Sequence, residues 1–494
     1  MGAERVGESA PAARTYGERE SIDAGAGLLY VRGVMSPRTF LSITIASAAL
    51  AFTAPAAAQQ PVPNLPVQST ALSNGMQLIL HEDHTSPVVT VNVWYHVGSK
   101  DEPPGRNGFA HLFEHLMFQG SKHVAEDHFF WYLERAGATD RNGTTSADRT
   151  NYFETVPSNQ LELALWLESD RMGFLLDHVD QKTFEEQRKV VKNEKRQHYD
   201  DAPYGLLSKF LHDAIYPKGH PYRNLTIGSY EDLDRASLED VRKFFKTFYV
   251  PNNASVVIAG DVAPQKAREL AEKYFGPIRR GAQPPVVTSA PAFEVQPATL
   301  QVSAGVELPR VYVSYVTPAA YQPGDAALDL LANVLSQGKS SRLYKRLVYE
   351  LQIAKDVAAY QASGQLGSTF EIVATAKKGQ APEALLKVID EEIAKLVATP
   401  PTKEEVERAR TGFESDVIFR IERMSQRADL FNHFNQFLHD PGYFPKDIER
   451  YRGLTEGDVQ KAAQTWLPPS KRVVAMVHPD PKAPPCGALV QGGK

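Results

Sequence analysis

Two stretches of this chain, Val88–Val97 and Val311–Val316, alternate apolar and polar residues with the period of a half-buried strand. Each leads into an apolar run whose polar positions recur at helical rather than strand spacing. In the first run, Phe109–Gly120, the interruptions are His111, Glu114 and His115. In the second, Ala327–Gly338, the aligned residues are Asp329, Ala332 and Asn333, 218 positions further on. The same offset relates Ser237–Val241 and the strand expected after Pro251 to Thr455–Val459 and the strand expected after Pro469. Separate segments sharing one offset mark an internal duplication. The chain therefore reads as two related α+β units, 65–285 and 293–479, with a Pro-rich linker opening at Gly281–Pro285.

A length of 494 residues accommodates two such units, and 42% apolar with 23% charged residues is ordinary for a globular protein. A formal charge of −5, with no basic run or aromatic-interleaved patch, argues against nucleic acid as a partner. Residues 1–58 read as an N-terminal extension and signal peptide. Phe40–Phe52 is an apolar run followed by Ala56-Ala57-Ala58, a small-residue cleavage pattern. That run is too short to span a bilayer comfortably, so no transmembrane segment is expected after cleavage. Met35 opens a conventional signal peptide at about 35–58 and competes with Met1 as the start. The implied destination is the periplasm or the exterior. Cys486 is the single cysteine, so no intramolecular disulfide can form and stability must come from core burial. The Pro/Gly-rich end, 480–494, is expected to be a flexible tail.

Positions 111, 114 and 115 stand at i, i+3 and i+4, so in a helix their side chains share one face. Burying two imidazoles and a carboxylate in apolar surroundings is costly unless something offsets the desolvation. Two histidines at this spacing can grip one zinc ion, and the neighbouring carboxylate can take a proton from water that the metal activates. The order is the reverse of the His-Glu-x-x-His zinc motif. A third protein ligand is required, with one position left open. The charged segment 184–196 offers Glu185, Glu186 and Glu194, which spacing alone does not separate.

The stretch Phe109–Phe118, together with Val190-Val191-Lys192-Asn193-Glu194, resembles the metal helix and third-ligand segment of the pitrilysin/insulinase family of zinc peptidases, the inverzincins. The likeness runs from about Leu65 to Pro479 and is to the half-length bacterial type, similar to subunits of mitochondrial processing peptidase. It implies a zinc endopeptidase acting on peptides or unfolded segments, with one Zn2+ per chain held by His111, His115 and Glu194. Glu114 is then the base. Each unit would be a mainly antiparallel sheet flanked by helices, the first catalytic and the second its inactive homologue. Asn142-Gly143-Thr144 falls where the family pairs substrate backbone on a sheet edge, and Asp148–Tyr152 would continue that strand. Asn142, Gly143, Thr144 and Tyr152 are thus candidate substrate-binding residues. Seven residues before the third ligand, where the family usually has an acid, this chain has Gln187, a candidate to hydrogen-bond behind the ligands.

The resemblance also exposes a gap. Members commonly hold substrate from the opposite wall with an arginine and a tyrosine seven residues apart, and here those positions are Val348 and Lys355. Valine offers no charge, and lysine is a point donor rather than a phenol. Such a loss resembles subunits that pair with a homologous chain supplying the two residues, so a hetero-oligomer is expected. The alternative is a non-catalytic scaffold subunit, against which the intact metal motif argues. His81–His84 and His220 read as turn residues, and the aromatic run 431–437 as core.

Overall fold

The computed structural model describes residues 61–490. The apolar run 40–52 and the cleavage pattern ending at Ala58 lie outside the described residues. Among the described residues no helix is long and apolar enough to cross a membrane.

Two six-stranded sheets form the frame. The first holds β1 (Gln68–Ala71), β2 (Gln77–Glu82), β3 (Val88–Tyr95), β4 (Thr139–Thr145), β5 (Thr150–Pro157) and β6 (Ala254–Gly260), in the order β1-β2-β6-β3-β5-β4. The second holds β7 (Ala298–Ala304), β8 (Arg310–Thr317), β9 (Ala354–Ala362), β10 (Ser368–Ala376), β11 (Arg472–Pro479) and β12 (Ala488–Leu489), in the order β12-β7-β11-β8-β10-β9. Each sheet has one parallel pair, β2 with β6 and β7 with β11, and is otherwise antiparallel. β5 and β10 open at Thr150 and Ser368, β6 and β11 at Ala254 and Arg472. Helices Leu238–Phe248 and Glu456–Trp466 also begin and end in step, each pair 218 residues apart.

Strand alternation sends side chains to both faces, and both faces are buried. Leu78, Leu80, Val256 and Ile258 pack in one core with helix Phe109–Leu116. Their neighbours Ile79, Val257 and Ala259 pack on Ala428 and Phe431 of helix Met424–Leu438, which belongs to the second half. The reverse holds for the second sheet. Val311, Val313 and Tyr315 share a core with helix Asp325–Ser336, whereas Val302, Ala304, Val473, Ala475 and Val477 pack on Leu207, Leu211 and Ile215 of first-half helix Leu207–Ile215. Each half thus lends a helix to the other's sheet. The completely buried Phe431 contributes about 2 kcal/mol through removal from water. Beside it the Asn432 amide donates to Asn92 O at 2.9 Å and accepts from Ser255 Oγ at 2.7 Å, fixing the register of helix on sheet.

The chain end departs from the expected flexible tail. Residues 480–490 are packed: Ala488–Leu489 pair with β7, and Cys486 is buried. Backbone N–H groups of Tyr204 and Leu206 donate to Pro485 O and Cys486 O at 3.0 and 3.1 Å. The otherwise open edge of β7 is what holds this segment. Residues 279–297 between the sheets carry no regular element.

Candidate metal centre

Helix Phe109–Leu116 starts from Gly108, whose φ of 96° is left-handed. A Cβ there would lie 2.9 Å from Ile227 O and 3.0 Å from Gly228 Cα, so the turn needs glycine twice over. With no side chain on the capping residue, the Glu102 carboxylate fills the role and accepts from the N–H groups of Gly108 and Ala110 at 3.0 and 2.9 Å. Phe109, Ala110, Leu112, Phe113 and Leu116 are buried, and the Phe113 ring stacks on Phe244 with centroids 4.9 Å apart. Truncating Phe113 to alanine would cost about 3–5 kcal/mol and loosen the helix. With that face pinned, His111, Glu114 and His115 are left turned toward helix Gln181–Lys195.

That helix brings Glu194. Its Oε2 lies 3.2 Å from His115 Nε2 and its Oε1 3.7 Å from His111 Nε2. One ligand atom from each of the three residues lies within 4.8 Å of the others, the only such group among the described residues. Glu185 and Glu186 are near the start of the same helix, where they meet Gln181 at 2.7 Å and Lys182 at 3.9 Å. Burial, reinforced by the charge on His115, pushes His111 down to about 4, which keeps its imidazole neutral. Burial raises the Glu194 carboxyl, but hydrogen bonding by His115 and the nearness of the His111 and His115 rings leave it below its ordinary value. Two imidazoles and one carboxylate are the donor set of a catalytic zinc site. The residues fit the metal.

Glu114 sits beside this set. Its Oε2 accepts from Thr145 Oγ1 at 2.6 Å, and burial raises its carboxyl against the opposing pull of that bond. Thr145 ends β4, an edge strand paired only with β5 among the described residues. A Cβ on Gly143 would lie 3.1 Å from Glu114 Cγ, 3.0 Å from Phe118 Cε2 and 3.1 Å from Tyr152 Cδ1. Any larger residue here would crowd the Glu114 side chain and make it shift. Asn142 is exposed and Thr144 half-buried on the same strand.

Two expectations need correction. Tyr152 is not on the substrate edge. It lies in β5, paired on both sides, completely buried, with its hydroxyl 3.5 Å from Phe113 O and 3.4 Å from Tyr249 Oη. Asp148–Tyr152 does not continue β4 because the chain reverses first, Ser146 N–H donating to Arg149 O at 2.9 Å. Gln187, two turns before Glu194 and about 10 Å away along the helix, makes no side-chain hydrogen bond to His111, His115 or Glu194 among the described residues. Conversely, sequence reasoning passed over His198, whose Nδ1 lies 3.6 Å from Glu194 Oε1. Its spacing of four from Glu194 was the available signal. Arg149 was named only as part of a strand. Its guanidinium donates to Thr144 O at 2.9 Å and Thr144 Oγ1 at 2.6 Å and lies 5.1 Å from the Trp94 ring centroid.

Among the described residues the second half offers no such set. Asp329 accepts from the Tyr451 hydroxyl at 2.8 Å, and the Asn333 amide donates to Asp329 O at 2.9 Å. The residue 218 positions beyond Glu194 is Gly412, in helix Lys403–Ile421, which packs against helix Asp325–Ser336. Val348 packs on the second core and Lys355 is exposed on edge strand β9. His84 pairs with Asp261 and Glu82 at 2.6 and 3.0 Å, and His220 stacks on Tyr216 at 4.6 Å, both outside any metal group.

Residues 77–227 match the family model described as insulinase (peptidase family M16), and residues 235–413 the model described as the peptidase M16 inactive domain. The chain is 32% identical over 368 residues to the zinc protease PqqE of Helicobacter pylori, covering 74% of this chain and 82% of that protein. It is 24% identical over 419 residues to the probable mitochondrial-processing peptidase subunit beta of Schizosaccharomyces pombe, covering 81% and 88%. Among solved structures, a protease from Helicobacter pylori superimposes with a TM-score of 0.78 at 29% identity, over 84% of this chain and all of that one. The likeness spans both sheets as well as the His-x-x-Glu-His helix, and the chain belongs to the insulinase family of zinc proteases, peptidase family M16.

Proposed function

We propose that this chain is the catalytic subunit of a zinc-dependent endopeptidase that cleaves peptides or unfolded protein segments in the periplasm. The observation that carries this is the convergence of His111, His115 and Glu194 beside a Glu114 pressed against the Gly143 edge. One zinc ion per chain, held by those three side chains, would polarise a peptide carbonyl and lower the pKa of water. Glu114 then takes the water proton and passes it to the leaving amine, with Thr145 fixing which carboxylate oxygen is free. An extended substrate adds to β4 through main-chain hydrogen bonds, at Asn142, Gly143 and Thr144, which asks little of its sequence. Export is supported by the apolar run 40–52 and the pattern ending at Ala58.

The substitution of Val348 and Lys355 for the arginine and tyrosine of relatives supports pairing with a homologous subunit that supplies them. The similar Schizosaccharomyces protein is itself named as a subunit. The chain alone should therefore cleave an unstructured peptide more slowly than a mixture with that partner, and equal rates would remove the pairing. Glu114→Gln should keep zinc and lower kcat about 10²–10⁴-fold. A Glu114→Gln chain of full activity would remove Glu114 from the reaction. The scaffold alternative calls for a damaged metal set, and the set here is intact.

A further inference from the structure

Three histidines, not two, surround the Glu194 carboxylate. Oε2 meets His115 and Oε1 meets His111, while His198 Nδ1 lies 3.6 Å from the same Oε1. His198 is carried on a π-turn, Arg196–Asp200, that begins where the ligand helix ends and is closed by Asp201 N–H donating to Arg196 O at 2.7 Å. Such widened turns are rare and concentrate at functional sites. A histidine four residues beyond a glutamate is common on solvated helix faces. This pair differs because Glu194 is only 27% exposed and has its other contacts inside the metal set.

Ligating side chains in zinc sites are held from behind by hydrogen-bond partners that fix their orientation. Gln187, at the position where relatives carry an acid, does not reach Glu194. His198 does. The His198 side chain is 53% exposed, so it can adjust by the small distance that separates 3.6 Å from a hydrogen bond without disturbing the core.

We propose that His198 is a positioning residue for the third ligand. Its imidazole N–H engages one oxygen of Glu194 and turns the carboxylate so that the other is left for the ion. This rests on the metallopeptidase reading above, and it assigns to His198 a role that the family resemblance suggested for Gln187.

The test is zinc affinity, measured on the full chain at constant pH by competition with a chromogenic chelator, which needs no turnover. His198→Ala should bind zinc about tenfold more weakly, the low end of the loss for partners behind a ligand. His198→Gln, which keeps an N–H donor, should recover most of that loss, and Gln187→Ala should stay within about twofold of wild type. If His198→Ala matches wild type, or His198→Gln is as weak as His198→Ala, the proposal is overturned. A wild-type chain that takes up no zinc would overturn the metallopeptidase reading instead.

Discussion

Helix Phe109–Leu116 and helix Asp325–Ser336 occupy equivalent places against two sheets that correspond in five strands and differ at one edge, β1 against β12, yet they carry different polar side chains. In the first, an apolar face pins the helix and the remaining polar face meets Glu194. In the second, Asp329 stands for His111, Ala332 for Glu114, Asn333 for His115 and Gly412 for Glu194. The second set is bonded internally, Asp329 to Tyr451 and Asn333 to the helix backbone. Among the described residues, the second half thus builds the duplicated packing without a His-His-Glu set.

Substitutions at equivalent positions should separate the two halves. The largest effect should come from Glu194→Ala, which gives the first half the second half's missing ligand. Hydrolysis should fall by about 10³-fold or more with loss of zinc, whereas Glu185→Ala and Glu186→Ala should stay near wild type. Steady-state rates beside metal analysis would check this, and equal losses for the three glutamates would contradict the assignment. Gly143→Ala should come next. Its methyl group would press on Glu114 and Phe118, and kcat should fall by about tenfold to a hundredfold with zinc retained. The equivalent β9 residue, Gln361, bonds to Thr317 at 3.0 Å and Asp325 at 3.4 Å, outside the His-His-Glu set, and Gln361→Ala should leave kcat unchanged.

The smallest effect concerns stability and lies in the second half. Burial, with the charge of Asp325 adding to it and the Tyr451 hydroxyl opposing, pushes the Asp329 carboxyl up to about 7. A carboxyl whose folded value lies above its unfolded value of 3.8 stabilises the fold at low pH, and that contribution is lost as pH rises through about 7. Asp329→Asn should therefore melt higher than wild type at pH 8, by on the order of 1 kcal/mol, and gain less at pH 5. Thermal melts at the two pH values read the difference. A gain that is equal at both, or larger at pH 5, would contradict the buried-acid account.

How much was legible beforehand follows the range of each interaction. His111, Glu114 and His115 are set by helical period, a local property, and so is the alternation that defines β3 and β8. Glu194 is 79 residues from His115, and only likeness to relatives separated it from Glu185 and Glu186. Tyr152 was misplaced because Ser146-Ala147-Asp148-Arg149 turns the chain without glycine or proline to announce it. The exchange of helices Leu207–Ile215 and Met424–Leu438 between sheets was invisible, because an apolar helix face does not say which sheet it will cover. The packing of residues 480–490 was missed for a similar reason: the open edge of β7 that orders them is made nearly two hundred residues earlier.

One half of the duplicated fold should hold a single zinc ion. Elemental analysis of the purified full chain should find one zinc per chain. A variant carrying the second half's residues, His111→Asp with Glu114→Ala and His115→Asn, should have none while keeping its fold by circular dichroism. Two zinc ions in the wild type, or one retained by the triple variant, would contradict it.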